Sequence, residues 1–366
     1  MSDTIGIYIH IPFCRSKCPY CDFFSMRGNE SEYDNYVEIL IDKIEYWSKK
    51  TDKTVDTVYI GGGTPSVIGT ENLFNIIKKV KNCFKLQPNP EITIEVNPES
   101  GGKIDFKKLK GAGLNRVSIG LQSAVKEELK CLGRIHNAES VKNTVELIKE
   151  SGIDNISLDL MLGIPEQTKE NLKKSIDFCV DLNVKHISSY ILKIEENTNY
   201  YKNKDKYNFP DENSTADLYL YAVEYLSKKG FSQYEISNFS KQNFESKHNL
   251  KYWNLDEYIG IGPAAHSFLN GKRFYYERNI ESFKNNNIIN DGIGGTKEEY
   301  IMLQLRLKSG LIFKKYEEVF GEDLSKDFLN KANKYIKSGF MEKTNDSIFF
   351  TSKGFLVSNS ILSDLI

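Results

Sequence analysis

Short β-branched runs alternate with longer stretches of helical periodicity through roughly the first 230 residues, and this alternation restricts the fold more than any other feature of the 366-residue chain. The strand candidates are Ile5–Ile11, Thr57–Ile60, Glu91–Val96, Arg116–Gly120, Asn155–Leu160 and His186–Leu192. Amphipathic segments lie between them: Tyr33–Lys49, Glu71–Phe84, Ala138–Ser151, Thr168–Leu182 and Ser214–Lys229. Thr168-Lys169-Glu170-Asn171 reads as a helix start, and Ser214 or Thr215 is expected to cap the following helix. Six βα units in succession imply a parallel sheet with right-handed crossovers. The expected fold class is therefore α/β, a partial (βα)6 TIM-type barrel. Six units close only part of a barrel and leave a lateral opening wide enough for a large substrate.

Ligands of such sheets bind at the carboxyl ends of the strands. A cysteine-bearing loop follows the first strand here, and Gly61-Gly62-Gly63-Thr64-Pro65 follows the second. Glu95-Val96-Asn97-Pro98 ends the third, Gln122-Ser123 follows the fourth, and the fifth carries Asp159 before Gly163-Ile164-Pro165. The second half is less regular. Gln233–Phe239 reads as another short strand, Asp205–Glu212 as a loop, and Gly260–Ser267 is rich in Gly and Ala. From about Thr296 the pattern is helices followed by a hairpin over Phe340–Thr351, which suggests a winged-helix-like α+β tail. The expected division is a barrel over residues 1–235, a connection over 236–295 and the tail over 296–366.

Charge is balanced, 49 basic against 50 acidic residues, so no global field draws the chain to nucleic acid or membrane. No run of about 18 apolar residues is present to span a bilayer. The 21 Tyr and 21 Phe suit a pocket with flat apolar walls, although ordinary core packing also uses them.

The loop after the first strand is Cys14-Arg15-Ser16-Lys17-Cys18-Pro19-Tyr20-Cys21, a Cys-x3-Cys-x2-Cys pattern. Three thiolates on one loop can hold three irons of a [4Fe–4S] cluster. The fourth iron, with no local cysteine, stays open to a small molecule such as S-adenosylmethionine. A structural zinc site is the alternative, but it usually takes four ligands in paired spacing, which Cys83, Cys131 and Cys179 do not provide. Those three read as buried apolar residues. No secretory signal is read, so a reducing, cytoplasmic compartment is expected and disulfides are not.

These residues resemble a known family. The cysteine loop is similar to that of radical S-adenosylmethionine (SAM) enzymes, which are partial (βα)6 barrels. Tyr8-x-His10-Ile11-Pro12-Phe13-Cys14, Gly61–Ser66, Gly120-Leu121-Gln122-Ser123, Leu132-Gly133-Arg134-x-His136 and Asp159-Leu160 resemble the oxygen-independent coproporphyrinogen III dehydrogenase-like branch. The porphyrin-forming enzymes of that branch carry a further cysteine where this chain has Phe23. They also have a longer N-terminal extension than the thirteen residues that precede Cys14 here. His248-Asn249-Leu250-Lys251-Tyr252-Trp253 is similar to the His-Asn-x-x-Tyr-Trp signature of the branch's haem chaperones.

The resemblance implies that Cys14, Cys18 and Cys21 ligate a [4Fe–4S] cluster. It implies that Tyr8, Tyr20, Gly62, Gly63, Thr64, Glu95, Gln122, Arg134 and Asp159 line a SAM pocket. The chemistry suits those roles: carboxylates fit ribose hydroxyls and an ammonium, and Arg134 fits a carboxylate in a two-pronged contact. Taken singly, Glu95 and Asp159 also fit ordinary solvated carboxylates, but their positions at strand ends favour function; the glycine run also fits a plain strand-to-helix turn, a reading that Thr64-Pro65 weighs against. His248 is implied as an axial ligand to haem iron, with Tyr252 on the same helical face and His266 a second candidate. By spacing alone His248 reads as a satisfied surface histidine beside two core aromatics, and His136 and His186 read as structural.

Two functions follow as expectations. One is a haem chaperone that binds haem and passes it to an apo-haemoprotein acceptor, a role in which peripheral membrane contact and a homodimer have a place. The other is oxidative decarboxylation of a porphyrinogen. A nucleic-acid role for the tail is disfavoured by the balanced charge.

Overall fold

The computed structural model describes residues 3–366. It confirms the α/β reading and extends it. The six expected strands are Thr4–Ile11 (β1), Thr54–Gly62 (β2), Leu86–Val96 (β3), Arg116–Gln122 (β4), Asn155–Leu162 (β5) and His186–Ile191 (β6). Each pairs in parallel with the next. Between them run the helices Glu30–Ser48, Gly69–Cys83, Ala138–Glu150 and Lys169–Asp181, which cover the outer face. In β1 the isoleucines at 5, 7, 9 and 11 are fully buried outward, under the helices, while Tyr8 and His10 point into the lumen. This parity is what lets a strand be apolar on one face and carry chemistry on the other.

The sheet goes on beyond the six units. After β6 come Ser232–Gln233 (β7) and Asn238–Ser240 (β8), so the single strand expected over 233–239 is two short ones joined by a turn. Tyr258–Ile261 (β9) then returns across the molecule and pairs in parallel with β1. His266–Leu269 (β10), Lys272–Tyr276 (β11) and Ile288–Ile293 (β12) extend that side as an antiparallel meander. The order is β12-β11-β10-β9-β1-β2-β3-β4-β5-β6-β8-β7, a curved sheet whose two edges do not meet. The Gly- and Ala-rich stretch at 260–267 is the β9–β10 turn. Residues 297–357 follow the helix–strand–helix–helix–hairpin order of a winged helix. Leu311–Ile312 (β13), Met341–Lys343 (β14) and Ser347–Phe350 (β15) form its separate sheet, in the order β13-β15-β14. Backbone hydrogen bonds from Ile236 N–H to the Arg306 carbonyl and from Lys308 N–H to the Tyr234 carbonyl tie this region to the end of the barrel. Among the described residues no helix is long and apolar enough to cross a membrane.

One capping expectation needs correction. Thr168 does cap its helix, accepting from the Asn171 N–H at 3.2 Å. The helix Glu212–Lys228 is instead capped three or four residues earlier than expected, by Asp211, which accepts from the Ser214 N–H at 2.7 Å. A carboxylate at this position also meets the positive end of the helix dipole. Asp211→Ala is expected to lower the urea midpoint of unfolding through loss of the cap, whereas Ser214→Ala shifts it less.

Candidate functional site

The site begins with how the cysteine loop is anchored. The loop leaves β1 at Ile11 and folds back, with the Cys14 N–H donating to the Met26 carbonyl (2.9 Å) and the Met26 N–H to the Pro12 carbonyl (2.8 Å). The glycine turn after β2 grips the same loop: the Gly63 N–H donates to the Ile11 carbonyl and the Thr64 N–H to the Phe13 carbonyl, both at 2.8 Å. Gly62 sits at φ +115°, a conformation that favours glycine, and a Cβ there would strike the His10 ring. A Cβ on Gly63 would fall 2.7 Å from the Phe13 carbonyl and 3.0 Å from the Cys14 sulfur. The turn's N–H groups are thus committed inside the protein, because that of Gly62 donates to Glu95 (3.1 Å). A ligand's ammonium can meet the turn only through carbonyl oxygen.

Cys14, Cys18 and Cys21 are free and half-buried on this loop. Thr64 Oγ1 lies 3.4 Å from the Cys14 sulfur. Burial pushes the Cys21 thiol up, and the neighbouring Cys18 and Cys14 add to the shift. A cationic metal centre offsets that cost by stabilising thiolates. Among the described residues no three His, Cys, Asp or Glu side chains gather as ligands of a single metal ion.

The three cysteines face a cavity of about 660 Å³ that runs into the barrel lumen. Of the residues expected to line a cofactor pocket, Tyr20, Gly62, Gly63, Thr64, Glu95, Gln122, Arg134 and Asp159 line this cavity. Tyr8 does not; it stands behind them, half-buried, with its hydroxyl donating to His10 Nδ1 (3.0 Å). Burial lowers the His10 pKa to about 4, and its Nε2–H donates to the Phe24 carbonyl in the cysteine loop (3.0 Å). Gln122 reaches the lumen through a backbone irregularity. It takes φ +66° where the β4–β5 register shifts, an unusual conformation that turns its side chain inward. Arg134 is held by the Tyr20 hydroxyl, which accepts from its Nε (3.0 Å) and one terminal nitrogen (2.6 Å).

The lumen is lined by charges taken out of water. Glu95 accepts from the Tyr59 hydroxyl (2.8 Å) as well as from Gly62, yet burial and nearby Asp159 carry its pKa up to about 7. Burial also raises Asp159, against the hydroxyls of Ser188 and Ser118, the latter at 3.2 Å. Arg116, only 2 % exposed, lies deeper in the same cavity, and its Nε–H has no partner. It balances Glu91, Glu95 and Asp159. Sequence reasoning passed over Arg116 and Tyr59. The available signal was parity, since Arg116, Ser118, Gly120 and Gln122 alternate along β4 and all face the cavity. The donor set of three thiols, carboxylates and an arginine fits an iron–sulfur cluster with a small charged cofactor beside it.

The structure places His248 elsewhere than an iron ligand open to haem would require. It belongs to the helix Lys247–Trp253, is 1 % exposed, and lies at the floor of the barrel. Its Nδ1 bonds Thr57 Oγ1 (2.8 Å) and its Nε2 the Tyr252 hydroxyl (2.9 Å), so neither nitrogen is open to a metal. Burial lowers its pKa to about 3, helped by the positive charges of Lys251 and Arg116. The sequence placed Tyr252 on its face correctly, but the hydroxyl is spent on the ring. Asn249, the next residue, lines the cavity from below. His186 is likewise satisfied by Ser157 and Tyr234, while His136 bonds the Leu121 carbonyl through Nε2 and leaves its buried Nδ1 without a partner. His266 is exposed, stacked on Tyr275 at 4.8 Å. The open side of the cavity has a different character. Phe23 is 69 % exposed, and Tyr190 and Ile191 are each 41 % exposed; with Leu192 they form an apolar rim beside Lys193 and Arg278.

This fold and site have known counterparts. The family model of the radical SAM superfamily matches residues 8–179, and that of the HemN C-terminal domain matches 297–357. In three dimensions the chain superposes on coproporphyrinogen III oxidase (HemN) from Escherichia coli with a TM-score of 0.84. That match covers 99 % of this chain and 89 % of the other at 20 % identity, which establishes a shared fold. The class is thus a radical SAM protein with a HemN-type C-terminal domain. Nearer relatives are the heme chaperones HemW of Lactococcus lactis and Bacillus subtilis. The first is 33 % identical over 97 % of this chain and 95 % of the relative, the second 32 % identical over 97 % of each. HemW of Escherichia coli is 37 % identical over 72 % of this chain and 69 % of its own length. Within the radical SAM superfamily, this chain belongs to the HemW family.

Because the folded state raises the Glu95 pKa, its neutral form favours the fold. That contribution is complete below the ordinary carboxylate range near pH 4.5 and is lost as pH rises through about 7. Glu95→Gln, which cannot ionise, is therefore expected to gain stability relative to the unsubstituted apo-protein between pH 5 and 8, read from paired urea unfolding curves. A difference constant with pH would place the Glu95 titration elsewhere.

Proposed function

We propose that this chain is a radical SAM haem chaperone. In this reading it holds a [4Fe–4S] cluster on Cys14, Cys18 and Cys21, takes SAM into the lumen, and binds haem for transfer to an acceptor haemoprotein. One observation carries the reading: a single cavity joins the three-cysteine loop, the polar side chains of Glu95, Gln122, Arg134 and Asp159, and an exposed apolar rim. The cluster, when bound, supplies an electron and an iron open to the amino and carboxylate groups of SAM. Arg134, fixed by Tyr20 through two of its N–H groups, keeps its other donors for the cofactor carboxylate. Asp159 and Glu95 accept from ribose hydroxyls or the ammonium, and the carbonyl oxygens of the glycine turn add to the ammonium site.

For haem we assign the rim. A porphyrin is a flat apolar disc with anionic arms, which matches Phe23, Tyr190, Ile191 and Leu192 flanked by Lys193 and Arg278. Ligation by His248 in its place would require the helix Lys247–Trp253 to leave the barrel floor. The relatives named heme chaperones support haem as the ligand class. Phe23, standing where the porphyrin-forming enzymes resembled above carry a cysteine, also favours transfer over decarboxylation.

Anaerobic reconstitution with iron and sulfide is expected to give a cluster whose spectrum shifts on adding SAM, and Cys18→Ser is expected to abolish both. In a haem titration followed by absorbance, Phe23→Asp should weaken binding roughly tenfold or more, the equivalent of losing about 1.5–3 kcal/mol of aromatic burial. His248→Ala should leave the haem spectrum in place. Equal affinity in Phe23→Asp, with loss of the haem spectrum in His248→Ala, would move the site to the floor. Robust vinyl product from coproporphyrinogen III under anaerobic conditions would replace the chaperone reading altogether.

A further inference from the structure

His248 stands at the foot of two columns of side chains that rise through the lumen. In the first, its ring stacks against Tyr59 at 5.2 Å between centroids and 24° between planes. The Tyr59 hydroxyl then donates to one Glu95 oxygen (2.8 Å), and the other Glu95 oxygen accepts from the Gly62 N–H (3.1 Å). In the second, the ring faces Tyr8 at 6.5 Å and 29°. Tyr8 donates to His10 Nδ1 and His10 donates to the Phe24 carbonyl, each at 3.0 Å. One column ends in the glycine turn and the other in the cysteine loop, and these are the two halves of the proposed cofactor site.

The foot itself is held from every side. Thr57 and Tyr252 fix the two ring nitrogens. Glu91 accepts the N–H groups of Lys247 and His248 at 3.1 and 3.0 Å, which pins the start of the helix. Gly6 faces the ring so closely that a Cβ there would lie 3.3 Å from the imidazole and 2.9 Å from the Lys251 side chain. A histidine used only as core filler needs none of this. An aliphatic residue would pack the floor without burying two hydrogen-bonding nitrogens.

We propose that His248 is a positioning residue for the SAM pocket: by bracing Tyr59 and Tyr8 from below, it sets the Glu95 carboxylate and the cysteine loop for the cofactor. The inference rests on the reading of this cavity as the SAM site. It also implies reciprocity. Anything that draws His248 off the floor weakens SAM binding, and bound SAM holds His248 in place to the same extent.

The test uses anaerobically reconstituted full-length protein and compares four forms: unsubstituted, His248→Ala, His248→Gln, and Leu226→Ala. The last is a control in the buried face of the helix Glu212–Lys228, outside the lumen. SAM affinity is measured by equilibrium dialysis, and the reduced cluster is examined by electron paramagnetic resonance with and without SAM. His248→Ala is expected to weaken SAM roughly tenfold and to reduce the SAM-induced change in the cluster signal. His248→Gln, which restores hydrogen bonds to Thr57 and Tyr252, is expected to recover part of both and stands in should the alanine form not fold. Leu226→Ala should lower thermal stability and leave both cofactor readouts unchanged. Unsubstituted affinity and signal in both His248 variants would overturn the inference, as would an equal loss in Leu226→Ala. Failure of the unsubstituted protein to bind SAM is a separate result, which removes the pocket reading itself.

Discussion

Two backbone hydrogen bonds hold the cysteine loop against the glycine turn, from Gly63 to the Ile11 carbonyl and from Thr64 to the Phe13 carbonyl. They continue, past the end of the sheet, the parallel pairing of β1 with β2. Everything at the upper end of the barrel follows from this seam. It brings three cysteines to one wall of the lumen, it leaves room for no side chain on Gly63, and it fixes Gly62 where its N–H can reach Glu95 on the next strand. A loop of this length would otherwise be free to fold over the opening or away from it. The seam converts it into part of the sheet's rim, so the thiols keep a defined relation to Glu95, Gln122 and Asp159 on the neighbouring strands.

The lumen below this seam carries charge that an ordinary barrel interior, filled with branched apolar residues, does not. Burying Glu91, Glu95, Asp159 and Arg116 together is costly unless each is paired or hydrogen-bonded. The structure meets most of the requirement locally. Glu91 caps the floor helix, Glu95 takes Tyr59 and Gly62, and Asp159 takes two serine hydroxyls. The guanidinium of Arg116 supplies the opposing charge. The remainder is left as a raised Glu95 pKa and an unpartnered nitrogen on Arg116. Such residual imbalance is typical where a polar ligand completes the set.

How much of this is legible in the chain depends on the range of the interaction responsible. The six parallel strands are visible because each is a local run of β-branched residues, with Ile5, Ile7, Ile9 and Ile11 marking the outward face of β1. The cysteine spacing is visible because a loop states its own chemistry. The meander β9–β12 is hidden. Its strands are short, mixed in polarity, and defined by pairing with β1, some 250 residues away in sequence. The cap at Asp211 was obscured by two plausible residues, Ser214 and Thr215, just inside the helix. His248 was legible as notable and illegible as buried, because its partners Thr57, Tyr59 and Glu91 lie on strands about 160 to 190 residues earlier. Arg116 could be recognised as inward-facing only after the register of β4 was known.

The same long-range contacts bear on how much one fold says about the chemistry it carries. HemN and this chain superpose closely at 20 % identity, so the barrel, the loop and the C-terminal region do not by themselves choose between chemistries. What can choose is the surface beside the cysteine loop. An enzyme that abstracts hydrogen must enclose its substrate and hold the target carbon near the cofactor with water excluded. Phe23, Tyr190 and Ile191 form instead an outward-facing apolar edge, open to solvent. Exposed aromatic surface is expensive in water and useful when a ligand or partner covers it.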